Sequence, residues 1–190
     1  MKRVLVPIAD GTEELEAITI IDVLRRAGAE VTVAGVGGLQ IVASRGTRLV
    51  ADVPIAACAR GSFDLIALPG GMPGAEHLRD CLPLTELLKE HAASGRLYAA
   101  ICAAPVVVLQ HHGLLAGRRA TAHPSFAHRL EDRSAVAERV VVDGTCITSR
   151  GPGTALEFAF TLVELLYGKE HALHVARPMV ALWPVRAAQG

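Results

Sequence analysis

Cys102 sits in Ala100-Ile101-Cys102-Ala103-Ala104, one cysteine among small residues inside the apolar run 98–109. Tyr98 to Ile101 reads as a short buried strand, and Ala104 to Leu109 as the opening of a helix. Pro105 is tolerated there because a first-turn N–H has no intrahelical partner. The cysteine then falls on a strand-to-helix corner. This is the small-x-nucleophile-x-small pattern of a nucleophile elbow, with Ala100 and Ala104 where glycines are usual. A thiol on such a corner is presented rather than hidden, and the adjoining helix start favours thiolate. The chemistry open to it is attack on an electrophilic carbon or oxidation of the sulfur. The same five residues also fit a packed core cysteine.

Several other residues could take part. Gly70-Gly71 end the strand-like run Phe63-Asp-Leu-Ile-Ala-Leu-Pro-Gly-Gly71. Lacking Cβ atoms, their N–H groups could join that of Ala103 in an oxyanion hole, or the pair could simply make a turn that needs positive φ. His123 precedes a proline, which holds it extended at what reads as a strand end, where it could serve Cys102 as acid or base or be a structural histidine. Glu13, Glu14 and Glu16 crowd the first turn of the first helix, as the helix dipole favours. Glu16 could nevertheless reach Cys102, and a carboxyl beside a thiol would have to share a proton with it. Arg150, Gly151 and Gly153 lie in Ser149-Arg-Gly-Pro-Gly-Thr154, just before the last apolar helix, and offer a candidate anion site.

The elements that must position these groups follow from periodicity. Residues 3–8 form an apolar strand. Residues 10–28 read as a helix with Asp10 as N-cap, Glu13 completing a capping box, an apolar face of Leu15, Ile18, Ile21, Val23 and Leu24, and a stop at Gly28. Val31–Val36 is a second strand, and two nearly all-apolar strands around a helix indicate a parallel sheet covered on both faces. Residues 39–52 alternate around Arg45-Gly46 as a side hairpin. Residues 84–95 form an amphipathic helix, and 118–126 a short strand running into a loop at His123. Asp143-Gly144 turns a hairpin, and residues 154–168 form a long closing helix. The expectation is one α/β domain over residues 1–190. Ligands of such sheets collect beyond the carboxyl ends of the strands, where the Asp10–Glu16 segment, Gly70-Gly71, Cys102 and His123 would all converge.

Composition narrows the function. The 190 residues are 51% apolar and 20% charged, as in globular domains. Lys and Arg number 19 against 19 Asp and Glu, and aromatics are 4%, so neither a phosphate-binding surplus nor a base-stacking platform is present. No apolar run is long enough to span a membrane, and the start reads as a strand rather than a signal segment. The expected location is cytoplasmic, with no membrane or nucleic acid partner. Cys58, Cys81, Cys102 and Cys146 are too scattered for a zinc site or a disulfide framework. No dinucleotide or P-loop signature occurs, so neither a metal nor a cofactor is expected.

Taken together and in order, VLVPIADGTEELEA, VTVAGV, LPGGMPGAE, AAICAAP, ATAHP and SRGPGTALEFA resemble the ThiJ/PfpI superfamily. Within it they are most similar to the branch of the Parkinson disease protein deglycase and its YajL-like relatives. The resemblance covers nearly the whole chain. It implies a flavodoxin-like three-layer sandwich with a mostly parallel sheet, a homodimer, and a reactive cysteine at Cys102. By position it implies Glu16 as hydrogen-bond partner of that cysteine and Gly70, Gly71 and Ala103 as backbone donors. It also implies His123 as the nearby histidine, and Arg150, Gly151 and Gly153 near both site and dimer contact. The implied activity is cysteine-dependent glyoxalase or deglycase chemistry on methylglyoxal, glyoxal or their early adducts, in stress protection. The implied alternative is an oxidation sensor or chaperone whose cysteine becomes sulfinate without turnover. Ala103 replaces the histidine that follows the cysteine in the protease-like branch, which argues against peptidase activity.

Overall fold

Val4, Val6 and Ile8 of the first strand face one side of the sheet while Leu5 and Ala9 face the other, and all five are buried. That period-2 alternation with both faces apolar requires cover on both sides. The computed structural model describes residues 1–184 and provides that cover. In chain order the elements are β1 (Arg3–Ala9), α1 (Glu14–Arg26), β2 (Glu30–Val36), β3 (Gln40–Val42), β4 (Arg48–Val50), β5 (Val53–Pro54) and β6 (Leu65–Leu68). They continue with α2 (Gly74–Arg79), α3 (Leu82–Ala93), β7 (Leu97–Ile101), α4 (Pro124–Ala127), β8 (Val140–Asp143), β9 (Cys146–Ser149), α5 (Ala155–Tyr167) and α6 (Lys169–Ala176). Seven strands form one sheet in the order β5-β2-β1-β6-β7-β9-β8, parallel except for β8 against β9. β3 and β4 form the separate antiparallel hairpin expected around Arg45-Gly46.

One core joins α1, α5 and α6 to the sheet through residues such as Ile20, Leu24, Phe158 and Phe160. The other joins α2, α3 and residues 103–109 through Leu78, Leu88, Val106 and Leu109. The result is the three-layer, flavodoxin-like sandwich. Burying each such side chain stabilises the fold by about 1.5–3 kcal/mol before chain entropy is counted. The chain turns from β1 toward β2 on one side and from β6 toward β7 on the other. The strand order therefore reverses between β1 and β6, where a crevice opens.

Five local expectations are corrected. Glu13, not Asp10, caps α1, its Oε2 accepting from the Glu16 N–H at 2.7 Å. Asp10 instead accepts from Val42 N at 2.8 Å and ties β1 to the hairpin. Leu15 and Ile18 are 52% and 48% exposed, and the buried stripe of α1 runs through Glu16, Ala17, Ile20, Ile21, Val23 and Leu24. Residues 119–123 form no strand. Thr121 N donates to the Thr148 side chain at 2.9 Å instead of to a neighbouring backbone. Finally, Pro105–Gln110 winds as a π-type segment, and Gly168 at φ 94° ends α5 and admits a further helix, α6.

Candidate active site

β7 delivers the chain to Cys102, whose φ of 68° turns it sharply out of the sheet. A non-glycine residue pays about 1–2 kcal/mol for this left-handed conformation. Two backbone bonds hold it there. Cys102 N donates to Ser149 O at the end of β9 (3.0 Å), and Cys102 O accepts from His123 N (2.8 Å). Gly70 must be glycine here, since a Cβ at that position would lie 2.6 Å from Cys102 Cβ and 2.8 Å from Ile101 O. Gly71, at φ 89°, has the same need, because its Cβ would meet Glu13 N and Gly11 O at 2.4 Å. The paired glycines thus serve both a turn and a close approach.

The half-buried sulfur is met by the backbone N–H groups of Gly71 and Ala103 and by the Glu16 side chain. Gly70 departs from expectation. Its N–H donates to Glu16 Oε2 at 2.8 Å, so this donor holds the carboxyl and not a reacting oxygen. Glu16 is 0% exposed, and its Oε1 has no nitrogen or oxygen partner among the described residues. Burial raises the Glu16 carboxyl to about 7, against the lowering effect of the Gly70 N–H and Cys102 and with a smaller push from Glu13. Burial, then the Glu16 charge and hydrogen bond, push the Cys102 thiol up to about 12, against the Gly71 and Ala103 amides. The expectation of an exposed thiol acidified by a helix start is therefore corrected. Burial outweighs the corner, and no regular α-helix begins there. A thiolate forms readily only while Glu16 keeps the proton, so the two groups behave as one acid with a shared proton.

His123 lines the same cleft as Cys102, about 370 Å³ in volume. Its Nδ1 accepts from Ser125 N at 3.2 Å, which assigns the ring proton to Nε2. Arg150, Gly151 and Gly153 gather on a shallower cleft that also includes His123 and Arg139. Gly151 packs against the His123 ring, where an added Cβ would lie 3.2 Å from Cδ2. The anion expected at the start of α5 finds that end already answered by Glu157, which Arg139 pairs at 2.7 Å. Sequence reasoning missed the hairpin wall of the Cys102 cleft, Ser44 and Arg45, and the opposite wall at Ser125 and Phe126. In sequence Arg45-Gly46 signals only a turn. A larger cavity of about 550 Å³ lies beyond β1 and β2, near His77 and Cys81. It lacks the backbone donors and buried carboxyl that surround Cys102. Cys58 and Cys146 are buried and Cys81 half-buried, all as free thiols, in keeping with packing roles.

Among the described residues, no three metal-ligating side chains come together, and no helix is long and apolar enough to cross a membrane.

A mostly parallel α/β sandwich with a thiol on the corner after an interior strand, β7, backbone donors at the sulfur and a buried carboxyl beside it defines a class of elbow-cysteine proteins. The chain belongs to the DJ-1/PfpI family, the match running over residues 2–165. It is 52% identical over 176 residues to protein DJ-1 homolog B of Arabidopsis thaliana, covering 92% of this chain and 40% of that protein. The chain thus spans less than half the length of the plant relatives it matches. It is 39% identical over 178 residues to a Caenorhabditis elegans protein named glutathione-independent glyoxalase DJR-1.2, covering 93% of this chain and 94% of that one. Its fold superposes on the oxidised DJ-1 of Toxoplasma gondii with a TM-score of 0.94 and 48% identity, over 96% of this chain and 100% of that one.

Proposed function

We propose that the protein is a cofactor-free, Cys102-dependent enzyme acting in the cytoplasm on methylglyoxal or glyoxal and their early adducts. The observation that carries this reading is the fully buried Glu16 carboxyl set against the Cys102 sulfur, with the Gly71 and Ala103 amides beside it. The nematode relative's name supports the substrate class.

With the proton on Glu16, the Cys102 thiolate adds to the aldehyde carbon of methylglyoxal, and the C=O electron pair becomes an oxyanion beside the two amides. Glu16 gives its proton to that oxygen. The resulting carboxylate, with His123, carries the aldehyde-carbon hydrogen as a proton to the neighbouring carbon through an enediol. The first carbon is thereby oxidised to a thioester and the second reduced to an alcohol. Water cleaves the thioester, releases lactate and restores the thiol. No external oxidant or reductant enters. The test is lactate formation from methylglyoxal without glutathione. Turnover by the native protein that vanishes in Cys102→Ser is expected, and absence of turnover in both would overturn the reading.

A second reading is an oxidation sensor. It is supported by the donors already aimed at the sulfur, which would receive sulfinate oxygens, and by the oxidised state of the Toxoplasma relative. Stoichiometric peroxide oxidation of Cys102 by mass spectrometry, with no turnover of any oxoaldehyde, would favour it. A homodimer is proposed as well, supported by exposed Leu15 and Ile18 on α1. Sedimentation of Ile18→Glu should then shift toward the monomer.

A further inference from the structure

The cleft at Cys102 holds one cation that the mechanism leaves unused. Arg45 stands at the tip of the β3–β4 hairpin, exposed, lining the cleft, and in no ion pair among the described residues. Its backbone is held firmly. Arg45 N donates to both oxygens of Glu14, at 3.0 and 3.1 Å, and the Ser44 hydroxyl donates to Glu14 Oε2 at 3.0 Å. Thr47 N adds a longer bond to Glu14 Oε1 at 3.4 Å, and Ser44 N donates to Thr12 O at 2.8 Å. These bonds, with the Glu14 amide, outweigh desolvation and bring the Glu14 carboxyl down to about 2, so the clamp keeps its charge at any ordinary pH. The backbone of the tip is thus fixed by a carboxylate from the first turn of α1, and the exposed Arg45 side chain extends from that fixed point at the edge of the site.

The influences on the Cys102 thiol are burial, Glu16 and the two amides, and Arg45 is not among them. The Arg45 charge therefore bears on what occupies the cleft and not on the sulfur itself. The cleft's carboxylate, Glu13, is committed through Oε2 to capping α1. At about 370 Å³ the space suits a drug-sized ligand, far more than the five heavy atoms of methylglyoxal.

We propose that Arg45 is a specificity-determining residue, positioned by Glu14, that selects 2-oxoaldehydes or early adducts bearing an anionic group remote from the reacting carbonyl. This rests on the enzymatic reading above and names its substrate class. A guanidinium offers a carboxylate or phosphate a two-point, charge-assisted contact. The product side follows the same balance, since water uptake converts the aldehyde and ketone carbons to a carboxylate and an alcohol while the remote anion is unchanged.

The test compares 4,5-dioxopentanoate with neutral 2-oxopentanal, two 2-oxoaldehydes of equal chain length. The native protein should favour the anion in kcat/KM by about tenfold, the scale of one charge-assisted contact. Arg45→Gln should bring the ratio near one, chiefly through KM, and Arg45→Lys should restore part of it. Glu14→Ala, which frees the tip, should also lower the ratio. A second readout needs no turnover: the rates at which Cys102 is alkylated by anionic iodoacetate and neutral iodoacetamide, read on the Cys102 peptide. Their ratio should fall several-fold in Arg45→Gln. If no oxoaldehyde is consumed, the enzymatic reading fails while the alkylation ratio still decides the role of Arg45. An alkylation ratio unmoved by the substitution overturns the role assigned to Arg45, whatever turnover shows.

Discussion

Replacing Glu16 by Gln separates a shared proton from a merely adjacent carboxyl. Gln is nearly isosteric, so its amide oxygen can still accept from Gly70 N–H, now made at 2.8 Å to Oε2, while its NH2 takes the place of the unpartnered Oε1. Packing is therefore preserved and the titratable proton removed. In the native protein the first proton leaves the pair near the Glu16 value of about 7, and the second near the Cys102 value of about 12. Between them one proton is shared, and the thiolate tautomer is present at a constant fraction. Alkylation of Cys102 should thus rise with a midpoint near pH 7 and then level off. In Glu16→Gln only the thiol titrates. It loses the carboxylate's charge and so falls below about 12, yet burial, its largest influence, still holds it above the ordinary thiol range. The midpoint should move up by at least about 1.5 pH units, given an ordinary thiol near 8.5. At neutral pH itself labelling of the two proteins should be comparable, because a carboxyl near 7 beside a thiol above about 8.5 keeps the native thiolate tautomer to about 3% or less. The difference lies above pH 7, where the native rate levels off and the variant's keeps rising. Turnover should nevertheless fall, by about 10²–10⁴, because the group that moves protons is gone. The assay is the pH dependence of iodoacetamide labelling at Cys102, read by mass spectrometry. A midpoint that stays near 7 in the variant would refute the shared proton, whatever happens to turnover.

Two more predictions follow from the same geometry. The Glu16 carboxyl is raised by burial from 4.5 to about 7 in the folded chain, so between those values the native state binds the extra proton. Stability contributed by this group must then fall as pH rises through that window, by about 3 kcal/mol in all. Denaturant midpoints of native protein and Glu16→Gln from pH 4 to 8 should diverge in that direction, and parallel curves would contradict it. Gly70→Ala should lower thermal stability by about 1–3 kcal/mol and displace the Cys102 corner, because its Cβ would press on Cys102 Cβ and Ile101 O. Calorimetry and Cys102 labelling check both effects, and unchanged values in both would show the corner to be more pliable than drawn.

The relation of sequence to site is uneven, and particular residues show why. Cys102 was legible as a corner residue because a proline-started helical run follows an apolar strand there, although its residue types alone fit a packed core cysteine equally well. Gly70-Gly71 were legible as close-approach glycines, but not the direction of each N–H. Gly70 serves the Glu16 carboxyl and Gly71 the sulfur, a distinction set by backbone conformation, since Gly71 lies at φ 89° and Gly70 outside the left-handed region. Leu15 and Ile18 match an apolar stripe by type and spacing, yet α1 is rotated so that Glu16 takes the buried position. A charged residue at that place cannot be read from hydrophobic periodicity, which penalises it.

By itself the sequence determined the layer order, the parallel strands, the side hairpin and the corner cysteine, because these depend on local period, turn chemistry and the burial of apolar faces. Only the tertiary structure decided the chemistry of the site. The coupling of Glu16 to Cys102 arises from excluding water around residues 86 positions apart, as their numbers in the chain show. The seating of Arg45 over the cleft arises from a hairpin folded back onto α1 through Glu14. Desolvation and long-range contact have no signature in spacing, and they set how this thiol reacts.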